Sequence, residues 1–142
     1  MSKYTIFYAD DDLDDLDFFR EIIENLDADV ELVTQQNGQQ VLYAINNPPP
    51  HPSLLFLDIN MPGMTGLEVL KTVRESGNRD LPIVMFSTSS DELTIKKSRE
   101  LGANFYVPKS GIFEHLKKSI EHALNINWSS FIPNEKNFVY SY

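Results

Sequence analysis

Ser53-Leu54-Leu55-Phe56-Leu57-Asp58 is the stretch on which the fold turns: a serine, four large apolar residues in a row, then a carboxylate. A strand with one wet face alternates apolar and polar residues. One buried on both faces is apolar throughout, as in a parallel sheet covered by helices. Four other short runs read as strands, at residues 4–9, 30–34, 82–87 and 104–108. Between them the apolar residues recur at helical spacing. Leu13, Leu16, Phe19, Ile23 and Leu26 form one such series, and Val41, Leu42 and Ile45 a second. Leu67, Leu70 and Val73 begin a third, residues 91–101 make a weaker fourth, and Phe113, Leu116, Ile120, Ala123 and Leu124 the last.

The punctuation agrees. Asn46-Asn-Pro-Pro-Pro-His-Pro52 cannot continue a helix, because proline lacks the N–H donor and clashes with the preceding turn. Thr65 with Glu68 and Ser89 with Glu92 have capping-box spacing, and Asp12 and Asn37 are N-cap candidates for the first two helices. Strands alternating with helices imply parallel pairing through right-handed crossovers, hence a three-layer α/β sandwich.

At 142 residues the chain fits within the ~100–150 residues that one core supports comfortably. Residues 1–124 hold the whole alternation. Residues 125–142 carry Trp128, Phe131, Phe138, Tyr140 and Tyr142 without a period and read as a C-terminal tail, with no separate output domain. The absence of cysteine excludes disulfides, thiolate metal sites and a thiol nucleophile. No window reaches the ~18 consecutive apolar residues of a membrane span, and the start lacks a signal peptide's basic and apolar segments. A cytoplasmic location without membrane contact is the expectation. The net charge of −9 argues against direct DNA binding through a broad basic face. Eleven of the 21 acidic residues lie between Asp10 and Glu31, so the acidity has a local cause.

In an open parallel sheet, ligands bind beyond the carboxyl ends of the strands. Asp10, Asp11 and Asp12 follow the first strand, Asp58 and Asn60 the third, Ser87 and Thr88 the fourth, and Lys109 the fifth. Carboxylates crowded in this way repel and need a cation. A hard divalent ion with oxygen ligands, Mg²⁺ above all, suits them. Asp58 is then placed as a nucleophile toward a phosphoryl donor, with Lys109 offsetting charge and Ser87 donating a hydrogen bond.

This set resembles the receiver domain of two-component response regulators. The likeness runs over about residues 3–124 and is carried by Asp10-Asp11, Asp58 with Met61-Pro62 and Gly66, Ser87 and Lys109. It implies a flavodoxin-like (βα)5 fold with strand order 2-1-3-4-5, and Asp58 as phosphoacceptor. It further implies Mg²⁺ held by Asp10, Asp11, Asp58 and the backbone carbonyl of Asn60, with Asp11 the more direct ligand. Ser87 and Thr88 line the switch, Lys109 pairs with the phosphoryl group, and Tyr106 matches the aromatic coupled to Ser87. The implied donor is a phosphohistidine on a sensor histidine kinase or phosphotransfer protein. The implied output is a downstream protein, or a second copy in a homodimer, meeting the helix 4–strand 5–helix 5 face. Such a module is a switch rather than an enzyme that turns over.

Three departures stand out. Ser110 follows Lys109 where the family usually has a cis-proline, Pro108 precedes the lysine, and Thr88 replaces a smaller residue beside the switch hydroxyl. Plainer readings also exist. Asp14, Asp15 and Asp17 read as a solvated acidic run favouring a helix N-terminus. Tyr106 reads equally as a strand aromatic of the core. His51, His115 and His122 lack a common metal spacing, and Met61 and Met64 read as loop packing. A haloacid dehalogenase-type phosphatase would need a second aspartate and a threonine near the nucleophile, and Asp58-Ile-Asn60-Met-Pro62 has neither. A nucleotide binder would need a glycine-rich loop after the first strand, which is absent. A receiver that binds partners without phosphorylation remains the alternative.

Overall fold

The computed structural model describes residues 4–26 and 29–142. Met1, Ser2, Lys3, Asp27 (one of the counted acidic residues) and Ala28 lie outside the described residues. Strands and helices alternate as β1 (Tyr4–Ala9), α1 (Leu13–Asn25), β2 (Val30–Gln35), α2 (Gly38–Asn46), β3 (Leu54–Leu57), α3 (Gly66–Glu75), β4 (Ile83–Ser87), α4 (Glu92–Glu100), β5 (Phe105–Pro108) and α5 (Phe113–Leu124). The strands are all parallel in the order β2-β1-β3-β4-β5. This is the flavodoxin-like order that the resemblance implies.

The continuous apolar runs feed two cores, because successive side chains point to opposite faces. Phe7, Leu55, Leu57, Ile83, Met85 and Tyr106 lie on one face with Val41, Val69 and Val73 of α2 and α3. Ile6, Tyr8, Leu54, Phe56, Val84 and Phe86 lie on the other with Phe19 and Ile22 of α1 and Ile120 of α5. β3, at the centre, is buried at all four positions.

Three caps form as the sequence indicates. Asp12 accepts from Asp14 and Asp15, Asn37 from Gln40, and Thr65 and Glu68 close a reciprocal capping box. The fourth expectation fails. Asp91, not Ser89, caps α4, accepting both the backbone N–H and the hydroxyl of Thr94. Ser89 belongs to the preceding loop, where its N–H donates to Ser87 Oγ and its carbonyl accepts from Tyr106.

The aromatic tail packs on the body. Beyond α5 the chain returns along the open edge of β5, where Tyr106 N–H donates to Phe138 O (2.8 Å) and Tyr140 N–H to Tyr106 O (2.9 Å). Phe138 is buried, Trp128 and Phe131 meet the Phe105 ring, and the Tyr142 hydroxyl donates to Pro108 O. Pro108 costs the sheet nothing. Tyr106 N–H points outward to the tail, and strand alternation puts the nitrogen of residue 108 on that same outer side, where no bond to β4 is lost.

Candidate functional site

The ladder that builds the sheet also aims the acids. Asp10 N–H donates to Gln35 O (3.0 Å) and Asp58 N–H to Ala9 O (2.9 Å), so both residues continue the pairing of β2, β1 and β3 by one step. Lys109 N–H does the same toward Ser87 O (2.8 Å). Gly66 clears the floor beneath Asp58. A Cβ there would lie 2.1 Å from the Asp58 carbonyl oxygen, so only glycine lets α3 begin this close to β3.

Asp10, Asp11 and Asp58 each bring a carboxylate oxygen within 4.8 Å of the others. Asp11 is exposed, whereas Asp10 and Asp58 are 0% and 5% exposed. Asp10 is already well partnered: it accepts the Tyr8 hydroxyl, the Asp12 N–H (3.0 Å) and the Lys109 ammonium (2.6 Å). Lys109 Nζ also meets Asp15 Oδ2 at 2.8 Å and lies 3.5 Å from Asp58 Oδ1, over the ring of Phe86.

Burial pushes the Asp58 carboxyl up to about 7. Lys109 draws it back, while Asp10 and Asp11 raise it further. Burial would depress the Lys109 ammonium, but the carboxylates of Asp58, Asp10 and Asp15 outweigh that and hold it above its ordinary value. The Tyr8 phenol is pushed far up by burial and by Asp10 beside it, so it stays a donor. One ammonium thus serves three carboxylates. Hard oxygen donors with residual negative charge are what a small divalent cation requires.

Ser87 is fully buried and Thr88 exposed. Thr88 joins Asp15, Lys109 and Ser110 in lining a cleft of about 180 Å³. Asn60, exposed, sits in the turn that Ile59 O closes by accepting the N–H groups of Met61 and Gly66. Among the described residues the two cis peptides are Pro48–Pro49 and Pro49–Pro50, so the Lys109–Ser110 bond is trans. Tyr106 is fully buried, and its hydroxyl donates to Ser89 O at 2.7 Å.

The sequence matches the family model of the response regulator receiver domain over residues 6–121. The chain belongs to the response regulator receiver domains. It is 34% identical over 128 residues to a protein-glutamate methylesterase/protein-glutamine glutaminase of Trichodesmium erythraeum, covering 86% of this chain but 34% of that protein. The chain therefore spans about a third of that relative. Among solved structures it resembles the phosphorylated cyanobacterial phytochrome response regulator RcpA, at 26% identity and TM-score 0.79, covering 93% of this chain and 98% of that one. It also resembles the Mn²⁺-bound response regulator Rcp1, at 25% identity and TM-score 0.77, with the same coverages.

Two receiver residues escaped the sequence reading. Asp15 is part of the Lys109 network, whereas Asp14 and Asp17 are exposed as expected of a solvated run. Tyr8 stands in an apolar strand, yet its hydroxyl reaches Asp10. Strand parity could have flagged it, since Tyr8 and Asp10, two apart, share a face. The tail also packs against β5 and α5. The β5 edge is paired to residues 138–140, while Tyr142 stacks on His115 and Tyr140 packs edge-on to His122 of α5. Among the described residues no helix is long and apolar enough to cross a membrane.

Proposed function

We propose that this receiver domain accepts a phosphoryl group on Asp58 from a phosphohistidine of a sensor histidine kinase or phosphotransfer protein. The observation that carries the reading is the buried Asp58 carboxylate, 3.5 Å from Lys109 and clustered with Asp10 and Asp11. A carboxylate oxygen of Asp58 bonds to phosphorus as the phosphorus–nitrogen bond breaks and the imidazole leaves, taking a proton. Asp11, exposed, and Asp58 would suit direct contact with Mg²⁺, and the Asn60 carbonyl is the proposed further oxygen ligand. Asp10, its oxygens engaged by three donors, suits contact through water. Bound there, the cation neutralises charge on the transferring group. Lys109 supplies the complementary positive charge from the protein.

The added phosphate brings negative charge and acceptor oxygens to one point. Ser87 ends β4 and Thr88 follows it, and Ser87 is linked through Ser89 to the Tyr106 hydroxyl. The α4–β5–α5 face is the proposed output to a downstream protein. Because the tail lies along β5, a partner or a second copy docking there meets the tail as well. A cytoplasmic location fits this role.

The test is intact-mass spectrometry after incubation with acetyl phosphate, with and without Mg²⁺. One hydroxylamine-labile phosphoryl adduct, present in the wild type and absent from Asp58→Asn, is expected only with the metal. Equal labelling of the variant would overturn the assignment of Asp58. No labelling by acetyl phosphate or by a histidine phosphodonor would favour a phosphorylation-independent binding module.

A further inference from the structure

Lys109 is held from the side, and the holder is Asp15. The Asp12 cap fixes the first turn of α1 by accepting the N–H groups of Asp14 (2.9 Å) and Asp15 (3.2 Å). That phase sends the Asp15 carboxylate, about a third exposed, back to Lys109 Nζ at 2.8 Å. Asp10 takes a second ammonium hydrogen at 2.6 Å, and Asp58 Oδ1 stands off at 3.5 Å. The Lys109 side chain is only 9% exposed, so water offers it little alternative.

We infer that Asp15 is a positioning residue that draws Lys109 off Asp58, leaving the acceptor oxygen open for phosphoryl transfer; the inference rests on the phosphoryl reading above. An ammonium has three hydrogens, and here two are committed to carboxylates other than the acceptor. Without Asp15, the freed hydrogen's nearest anionic partner is Asp58 Oδ1. Closing that gap to a direct charge-assisted hydrogen bond, of roughly 2.7–2.9 Å, draws electron density from the carboxylate that must attack phosphorus. Asp15 therefore keeps Lys109 at a distance from which it meets the phosphoryl oxygens and not the nucleophile.

The experiment measures phosphorylation rate against acetyl phosphate concentration, with Mg²⁺, in wild type, Asp15→Asn, Asp15→Glu and Asp14→Asn. In each case the Asp58 oxygen–phosphorus bond forms as the phosphorus–oxygen bond to acetate breaks. Asp15→Asn should lower the saturating rate about tenfold, less than the ~100-fold that a misplacement of ~1 Å can cost, with little change in half-saturating concentration. Asp15→Glu should recover most of the rate. Asp14→Asn, the same charge change one residue away, should leave it unaltered, which separates position from general repulsion of an anionic donor. A second readout needs no phosphorylation: the ¹H–¹⁵N signal of the Lys109 ammonium. Asp58→Asn should move it more in the Asp15→Asn background than in wild type, a non-additivity diagnostic of the shared partner. An Asp15→Asn rate at or above wild type, or additive Lys109 shifts, would refute the inference. Failure of wild type to take phosphate defeats the phosphoryl reading instead, and the Lys109 signal still decides whether Asp15 holds the lysine.

Discussion

Asp58→Asn should make the metal-free protein more stable at neutral pH, and the gain should vanish in acid. In the folded chain the Asp58 carboxyl is pushed up to about 7 from an ordinary 3.8, chiefly by burial. Between those values the folded state binds more protons than the unfolded state, so stability falls as pH rises from about 4 to about 7 and then levels. Three units at 1.36 kcal/mol each give a ceiling of about 4 kcal/mol. Local relaxation and coupling to Lys109 reduce this, so about 1–3 kcal/mol is expected at pH 7.5. Lys109, held above its ordinary value, does not titrate in this window. Asparagine is nearly isosteric and uncharged at every pH, so the variant lacks the slope. Urea unfolding of both proteins from pH 4.5 to 8, with chelator present, measures the difference. The curves should converge toward pH 4.5 and separate above pH 7. Adding Mg²⁺ should then stabilise wild type more than the variant, because binding to the native state is linked to its stability. A variant as stable as, or less stable than, wild type at pH 7.5 would refute the claim that an under-compensated carboxylate is stored in the fold.

The remaining predictions concern what surrounds that carboxylate. Gly66→Ala should destabilise by about 1–3 kcal/mol or more, the range for overpacking, since its methyl has no room beside the Asp58 carbonyl; denaturant titration reads this directly. Tyr8→Phe keeps the ring contacts with Phe19 and Phe86 but removes a donor from a fully buried carboxylate. A loss of about 1–3 kcal/mol is expected, as for a hydrogen bond to a charged group, and thermal unfolding checks it. Phe138→Ala should cost about 3–5 kcal/mol if the tail stays docked, or less if the tail simply releases. Trp128 is the single tryptophan and packs on Phe105, so its emission tells the two outcomes apart.

Much of the site was legible because strand ends are local features. A buried run that stops at a polar or charged residue marks both the strand and its edge, and this places Asp10, Asp58, Ser87 and Lys109. Asp15 was not legible for a physical reason. Asp14, Asp15 and Asp17 carry the same charge in the same segment, and what separates them is the phase of α1 about its own axis. That phase is set by the Asp12 cap and by Leu16 and Phe19 seating in the core. The α4 cap is ambiguous in sequence for a similar reason, since Ser89 and Asp91 both precede the helix within reach of its first turn. The bond from Tyr106 to the Ser89 carbonyl helps hold that residue in the loop.

The amino-acid sequence by itself determined the alternation of elements, the parallel sheet, and the collection of acid, hydroxyl and lysine along one edge. These follow from apolar periodicity and from where charge interrupts it, both of which act over a few residues. Only the tertiary structure decided which carboxylates share Lys109, that Tyr8 reaches Asp10, and that the tail runs along β5. Those outcomes depend on pairings between residues far apart in sequence, such as Asp15 with Lys109 and Tyr106 with Phe138. They are selected by competition among several chemically similar candidates, and only the packed geometry brings one of them within bonding distance.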